Sequence, residues 1–362
     1  MNRGNRKSFC YKGIRKEITQ RKNESNKEFD KRFTKLKLDM QNGTYKEKSK
    51  KTHLDILKEF VEQQYKTNEV KEGTYGGNLE TIKSVERLCS NFVNKPIQKI
   101  DVADILKALP NLKTYSQSRI NKIYKYIQKP FEIAISERLI DFNPMDSMSI
   151  KKPKSIQKQE KQEGLTIEEQ AKMLEALGER DTKYRNVILL QLYTGMRIGE
   201  VLCLHYDDLD FVNKKIHIRR TMTKDKNNKP IEGKTTKTSR SYRTIDMTED
   251  VEKILRDEQS KKININGKLF YNTEKNCLYT EQGVNGYLKR LNEKYHFAKN
   301  IHTHTLRHTF ATRCLEAGME YKALQEILGH EDIRITMNTY ATATDEYMKK
   351  EYEKFTKYIK AI

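Results

Sequence analysis

The sequence contains no apolar run long enough to cross a lipid bilayer. A transmembrane helix needs about 20 consecutive apolar residues, whereas the strongest apolar run here covers only residues 187–193. The N-terminal residues also hold no apolar stretch that could serve as the core of a signal peptide. We therefore expect a soluble, cytoplasmic protein without a membrane partner.

The usual sequence patterns for metal and nucleotide binding are missing as well. The five cysteines lie far apart without a CxxC pair, which argues against a zinc ribbon and against a disulfide framework. The GKT at 233–235 resembles the end of a phosphate-binding loop, but Asn228 stands where the loop requires glycine. The histidines of HTHTLRH at 302–308 have no HExxH and no nearby carboxylate set. The sequence therefore predicts neither a metal nor a cofactor.

Acidic residues are too few to balance the basic ones. The chain has 71 lysines and arginines against 50 aspartates and glutamates, a formal net charge of +21. A charge of this size indicates a polyanionic partner. Because lipid surfaces are also anionic, charge alone does not choose between a membrane and nucleic acid.

The N-terminal segment, residues 1–50, is the most basic part of the chain. It carries sixteen basic and six acidic residues and few apolar ones. Two interpretations stay open: a disordered basic tail, or a small DNA-contacting arm that ends in a helix near residues 29–40.

The next segment, residues 52–150, has the spacing of a small helical bundle. Apolar residues recur every three or four positions in three stretches. Pro130 falls inside the third stretch, which predicts either one kinked helix or two shorter ones.

Residues 151–164 are polar and basic, as is typical of a linker between domains.

Residues 165–362 show a mixed pattern. A capping box predicts a helix that starts at Thr166, and a second helix is predicted over 183–193. Residues 211–222 have the pattern of two strands joined by a turn, and residues 241–247 have the pattern of a further strand. The predicted fold class is α+β and mainly helical, with a helical bundle and a mixed domain that holds a small antiparallel sheet.

Three short segments of this last region could carry chemistry. TGMRIGE places Arg197 and Glu200 three residues apart, which alone would suggest a surface ion pair. HTLRH places His304 and Arg307 three apart on one helical face, and His304 could simply cap that helix. The buried stripe of the helix is predicted to consist of Leu306, Phe310, Cys314 and Ala317. His304 and Arg307 would then point away from the core.

Together, and in this order, the segments resemble the catalytic domain of the tyrosine recombinases, also called the phage integrase family. That family has T-G-x-R-x-x-E, a lysine on a β-hairpin, H-x-x-R, L-G-H, and a tyrosine nine or ten residues further on. The matching positions here are Arg197, Glu200, His304, Arg307, His330 and Tyr340. The match is specific over about 165–345, the region that corresponds to the family's catalytic domain. It is looser over 52–150, where the resemblance implies a helical core-binding domain that contacts DNA.

The hairpin lysine has two candidates. TKTSRSYRTI resembles the family's P-K-T-K-S-S-x-R-x-I hairpin, and that alignment selects Lys237, with Lys234 as the competitor. The chain departs from the pattern at Thr236 and Asp246, where the family often has proline.

The resemblance implies a metal-independent cut and rejoining of DNA. Arg197 and Arg307 would clamp the phosphate, and Tyr340 would attack phosphorus to form a 3′-phosphotyrosine. His304 is the candidate base, and the hairpin lysine would protonate the leaving 5′ oxygen.

Glu200 and His330 would orient the arginines and bind the phosphate. The expected partner is double-stranded DNA at attachment sites, bound by a homotetramer, with an excision factor and a DNA-bending protein as further candidates. The tail after Tyr340 could pack on its own domain or on a neighbouring subunit.

The implied function is integration and excision of a mobile element. The alternatives are a housekeeping recombinase that resolves chromosome dimers and a catalytically silent DNA-binding protein of the same fold. A metal-dependent nuclease would need a carboxylate cluster, and none is apparent in the sequence.

Overall fold

The computed structural model contains two compact units. One comprises residues 1–71 and 77–158, and the other comprises 72–76 and 159–362. Among the described helices, none combines the length and the apolar composition that crossing a membrane requires. The residues that the structure describes are 5–42, 49–157, 164–178, 182–227, 229–233, 242–261, 267–272, 276–297, 300–330, 332 and 345–360.

The basic N-terminal segment folds into a hairpin followed by a helix. Strands β1 (Arg6–Tyr11) and β2 (Ile14–Thr19) pair antiparallel around a two-residue turn, in which Lys12 and Gly13 have φ of 48° and 81°. Positive φ at both turn positions matches the twist of the paired strands. Helix α1 (Asn26–Gln41) starts at a capping box. The predicted helix over 29–40 is confirmed, and a wholly disordered tail is wrong for the described residues 5–42.

Four α-helices follow in the described residues 49–157, all in the first unit except the first five residues of α3, 72–76, which belong to the second. Capping boxes start α2 and α4, because a side-chain oxygen at each N-cap accepts a backbone N–H that the helix leaves unbonded. Pro130 lies inside an uninterrupted α5, so the one-helix alternative is correct. The helices are α2 (His53–Lys66), α3 (Glu72–Leu88), α4 (Val102–Ala108) and α5 (Gln117–Ser136).

The second unit is also mainly helical. Its described helices are α6 (Ile167–Gly178), α7 (Arg185–Thr194), α8 (Ile198–Leu202), α9 (Glu249–Ser260), α10 (Glu281–Tyr295), α11 (Thr303–Glu316), α12 (Tyr321–Leu328) and α13 (Asp345–Lys360). The predicted capping box of α6 is confirmed, because Thr166 and Glu169 exchange hydrogen bonds of 2.9 and 3.1 Å. Helix α7 is buried along almost its whole length and packs against α9 and α11.

Small antiparallel sheets complete this unit. β3 (Leu209–Asp210), β4 (Lys215–Ile218) and β7 (Arg243–Asp246) form one sheet in that order, and two two-stranded sheets pair β5 (Thr221–Lys224) with β6 (Pro230–Gly233) and β8 (Tyr271–Asn272) with β9 (Cys277–Leu278). The predicted fold class, mainly helical α+β with a small antiparallel sheet, is confirmed.

One strand prediction is wrong in its position. The pattern predicts that a strand begins at Phe211, but Phe211 lies in the turn that follows β3. The turn forms because Asn213 bonds back to Asp210 through its backbone N–H at 2.9 Å and its side-chain amide at 2.8 Å. Lys214 then has φ of 51°, which a regular strand does not accommodate.

Candidate functional site

The site is built around the sharp turn between α7 and α8. Gly195 ends α7 with φ of 62°, and a Cβ atom there would lie 2.3 Å from the Phe310 ring. Glycine is therefore required on grounds of both backbone conformation and space. Arg197 follows as the N-cap of α8, with Glu200 at the third helical position. The Arg197 backbone N–H donates to Glu200 Oε2 at 2.9 Å, as in a capping box.

Glu200 is buried, and each of its carboxylate oxygens accepts two hydrogen bonds. Oε1 accepts from Arg197 Nη1 at 2.9 Å and from Arg243 Nη1 at 3.0 Å. Oε2 accepts from the Arg197 backbone N–H at 2.9 Å and from Arg243 Nη2 at 2.8 Å. Burial alone would raise the pKa of Glu200, but the hydrogen bond and charge of Arg243, then the charges of Arg197 and Arg307, lower it. Glu200 is therefore ionised and holds both arginines.

Arg307, on α11, contacts the turn between α7 and α8 and is only 8% exposed. Its Nη1 donates to the Gly195 carbonyl at 2.6 Å and its Nη2 to the Leu328 carbonyl at 2.8 Å. Burial, together with the nearby charge of Arg197, lowers the pKa of Arg307 to about 9. The guanidinium therefore remains protonated at neutral pH.

The expectation that Arg307 points away from the core is wrong. Helix α11 packs against α7, α10 and α12, so it has no single buried stripe. Leu306 is buried as expected, but Phe310 and Cys314 are only partly buried and Ala317 is exposed. His304, in contrast, is exposed in the first turn of α11, and the N-cap position belongs to His302.

The arginines are anchored on the C-terminal ends of two helices. Arg197 Nη2 donates to the Gly329 carbonyl at 2.9 Å and Arg243 Nε to the Ile327 carbonyl at 2.6 Å, both at the end of α12. Arg307 bridges the ends of α7 and α12. The last carbonyls of a helix lack intrahelical partners and carry partial negative charge. They can therefore hold guanidiniums without adding a full negative charge.

We call Arg197, Glu200, Arg243 and Arg307 the arginine cluster. Three guanidiniums surround one carboxylate, so the cluster carries a surplus of positive charge in the described part of the chain. Arg197 keeps 39% of its side chain exposed, whereas Arg243 keeps 7%. The surplus charge, reached through an exposed arginine, can bind an anion such as a phosphate.

Two further histidines lie near the cluster. Burial, followed by the charges of Arg307 and Arg197, lowers the pKa of His330 to about 3. Burial, followed by His304, lowers the pKa of His308 to about 4. Both imidazoles are therefore neutral at pH 7 and can each donate one N–H. The backbone of His330 is tied to α12, because its N–H donates to the Gln325 carbonyl at 3.1 Å.

The structure brings together five of the seven predicted site residues: Arg197, Glu200, His304, Arg307 and His330. Tyr340, Lys237 and the competing Lys234 lie outside the described residues. Within the described part of the chain, no group of three or more histidines, cysteines or carboxylates could hold a metal ion.

Sequence reasoning missed Arg243. The signal was present, since Arg243 occupies the arginine position of the same hairpin motif that selects Lys237. Nothing in the motif indicates that this arginine pairs with Glu200, which lies 43 residues earlier.

Known proteins resemble this chain over much of its length. The transposase from transposon Tn916 of Enterococcus faecalis is 33% identical over 267 residues, which are 67% of this chain and 63% of that protein. The chain thus spans less than two thirds of that relative. The integrase of Staphylococcus phage L54a is 27% identical over 358 residues, covering 90% of this chain and 98% of the relative.

A solved structure of the Tn1549 transposon integrase in complex with a circular intermediate DNA has the same fold. It superimposes with a TM-score of 0.68 at 25% identity, over 84% of this chain and 99% of that one. The model of the phage integrase family matches residues 163–347, a little over half of the chain and the part that contains the whole arginine cluster. The chain therefore belongs to the phage integrase family, the tyrosine recombinases.

Proposed function

We propose that this protein is a site-specific DNA recombinase that integrates and excises a mobile element. The observation that carries the proposal is the arginine cluster, whose positive surplus lies where the family's arginine motifs converge. The named relatives are a transposon transposase and a phage integrase, which favours a mobile element over the resolution of chromosome dimers. The phage relative also covers 90% of this chain.

The scissile phosphate would bind to Arg197 and Arg307. A guanidinium has five N–H donors, and each of these two arginines uses two of them in the hydrogen bonds to the described residues. The remaining donors can bind the non-bridging oxygens and stabilise the additional charge of a pentavalent transition state. Because the carbonyls and Glu200 already hold the guanidiniums in place, little reorganisation accompanies the reaction.

Tyr340 would be the nucleophile. Its phenol oxygen forms a bond to phosphorus as the bond from phosphorus to the 5′ oxygen breaks, leaving a 3′-phosphotyrosine and a 5′ hydroxyl. His304, exposed in the first turn of α11, accepts the phenol proton. Lys237 supplies a proton to the departing 5′ oxygen. The reverse reaction rejoins DNA without a nucleotide, because the phosphotyrosine conserves the energy of the broken ester.

The DNA partner would be bound by a homotetramer on two attachment sites, since one tyrosine cuts one strand and an exchange needs four cuts. Helix α13 supports such an assembly, because its aromatic side chains are exposed within one subunit. Tyr352, Phe355 and Tyr358 are 72%, 57% and 67% exposed. An excision factor and a DNA-bending protein are further proposed partners.

A covalent-trapping assay tests the proposal. Nicked DNA that carries a candidate attachment site is incubated with wild type or with Tyr340→Phe in EDTA, and adducts are resolved on a denaturing gel. We expect an adduct with wild type and none with Tyr340→Phe. Tyr126→Phe is the matched control and should form the adduct, because burial raises the pKa of the Tyr126 phenol to about 12, making it a poor nucleophile.

Other outcomes would contradict parts of the proposal. An adduct with both wild type and Tyr340→Phe would mean that a different tyrosine attacks. No adduct with either protein, together with retained DNA in a filter-binding assay, would mean that the chain binds DNA without cutting it.

A further inference from the structure

The Arg243 side chain donates three hydrogen bonds to the described residues, whereas Arg197 and Arg307, the arginines assigned to the phosphate, each donate two from their side chains. It lies at the start of β7, and its side chain is only 7% exposed. Nη1 and Nη2 bind the two oxygens of Glu200 at 3.0 and 2.8 Å, and Nε donates to the Ile327 carbonyl at 2.6 Å. One side chain therefore connects a strand, the first turn of α8 and the end of α12.

The contacts of Arg243 extend to two other parts of the site. Glu200 binds Arg197 through both its side chain and its backbone N–H. The carbonyl that accepts from Nε lies three residues before His330 in the chain. Gly329, with φ of 65°, leaves room for the guanidinium, because a Cβ there would lie 3.0 Å from Arg243 Nη1.

We propose that Arg243 is a positioning residue for DNA cleavage: it holds the Glu200 carboxylate against Arg197 and fixes the end of α12 that precedes His330. The inference rests on the proposed recombinase function and assigns a role to a residue that the family motifs left without one. Arg243 would act through Glu200 and α12, since its buried guanidinium is already committed to three bonds.

A role of this kind makes the charge of Glu200 depend on Arg243. The carboxylate is buried, and the charged groups that face it are Arg197 on α8, Arg243 on β7 and Arg307 on α11. Without Arg243, burial is opposed only by Arg197 and Arg307, so the pKa of Glu200 rises. In a variant without Arg243, Glu200 therefore becomes protonated as pH falls, and its ion pair with Arg197 is lost. In wild type Glu200 stays ionised.

The test measures single-turnover adduct formation by the full-length chain, with DNA binding measured separately, from pH about 8 to pH about 6. Arg243→Met should cut the cleavage rate about 100-fold near neutral pH, as expected for a misplaced phosphate-binding group. Its DNA affinity should change little, because many phosphate contacts share the binding. The ratio of wild-type to variant rates should widen as pH falls.

Two more variants separate positioning from loss of structure. Arg243→Lys keeps the charge but not the paired geometry, and should lose about tenfold in rate with a smaller pH effect. If Arg243→Met does not fold, Arg243→Lys takes its place as the test variant. In Arg243→Met combined with Glu200→Gln the titrating carboxylate is gone, so the ratio to wild type should no longer vary with pH.

Arg220→Met is the matched control outside the site. Arg220 pairs with the buried Asp208 at 2.6 Å, so its loss should reduce stability without a pH-dependent rate ratio. The inference would be overturned if Arg243→Met folds and cleaves DNA at the wild-type rate, or if the ratio of wild-type to variant cleavage rates does not change with pH. The proposed function would stand in either case. A wild type that forms no adduct would instead overturn the proposed function, and this inference with it.

Discussion

Two groups of charged side chains in the second unit, each built around a buried carboxylate, differ in their balance of charge. The arginine cluster sets three guanidiniums around Glu200. A second group, which we call the Asp208 network, contains three basic and three acidic side chains: Asp207, Asp208, Arg219, Arg220, Glu232 and Lys268. In the network Arg220 lies 2.6 Å from Asp208, and Lys268 lies 3.1 Å from Glu232.

The difference shows what each group is suited to do. A buried charge needs compensation, and in the Asp208 network the buried Asp208 is compensated by Arg220 in a group that has one carboxylate for each cation. The arginine cluster leaves two guanidiniums without a carboxylate of their own and relies on helix-end carbonyls instead. A balanced group stabilises the fold, whereas a group with a positive surplus is completed by an anion such as a DNA phosphate.

The largest expected effect comes from Arg307→Met. It should lower the rate of DNA cleavage by about 10²–10³-fold, because a donor to the transition state is lost. The free energy of unfolding should change by only about 1 kcal/mol, since the lost carbonyl bonds are offset by the removal of a buried, repelled charge. Single-turnover cleavage and urea unfolding measure the two quantities. A large loss of stability would show that this arginine belongs to a structural group after all.

The same substitution in the network should have the opposite profile. Arg220→Met leaves Asp208, only 1% exposed, without its strongest partner. We expect the free energy of unfolding to fall by about 3 kcal/mol, with cleavage per folded molecule unchanged. Urea unfolding and adduct formation at matched folded concentrations provide the comparison. If Arg220→Met slowed cleavage as much as Arg307→Met, the distinction between the two groups would fail.

A smaller effect is expected at Gly329, the helix end that supports the cluster. Gly329→Ala should cost about 1 kcal/mol of stability from its positive φ, and cleavage should fall about tenfold because the methyl group displaces the Arg243 guanidinium. Gly318→Ala is the matched control, since Gly318 also has positive φ, of 88°, but a Cβ there meets nothing within 4 Å. Both stabilities and both rates are measured, and equal rates would contradict the proposed support.

Much of the site was predictable because its motifs are local. Arg197 and Glu200 lie within one turn, and the glycine that ends α7 just before them is itself a local signal for a helix end. Arg243 could not be placed in the same way, because its bond to Ile327 joins residues 84 positions apart. The burial of Arg307 was also missed, since a helical pattern assumes one buried face and α11 packs on several sides.

The sequence by itself determined the family, the fold class, the start of α6 and the identity of the phosphate-binding candidates, because a capping box, helical spacing and short motifs depend on residues close in the chain. Only the tertiary structure decided which charged side chains lie together in one cluster. The ends of α7 and α12 meet beside β7, and there their unpaired carbonyls hold Arg197, Arg243 and Arg307 around one carboxylate. That meeting depends on packing between distant segments, which no local pattern encodes.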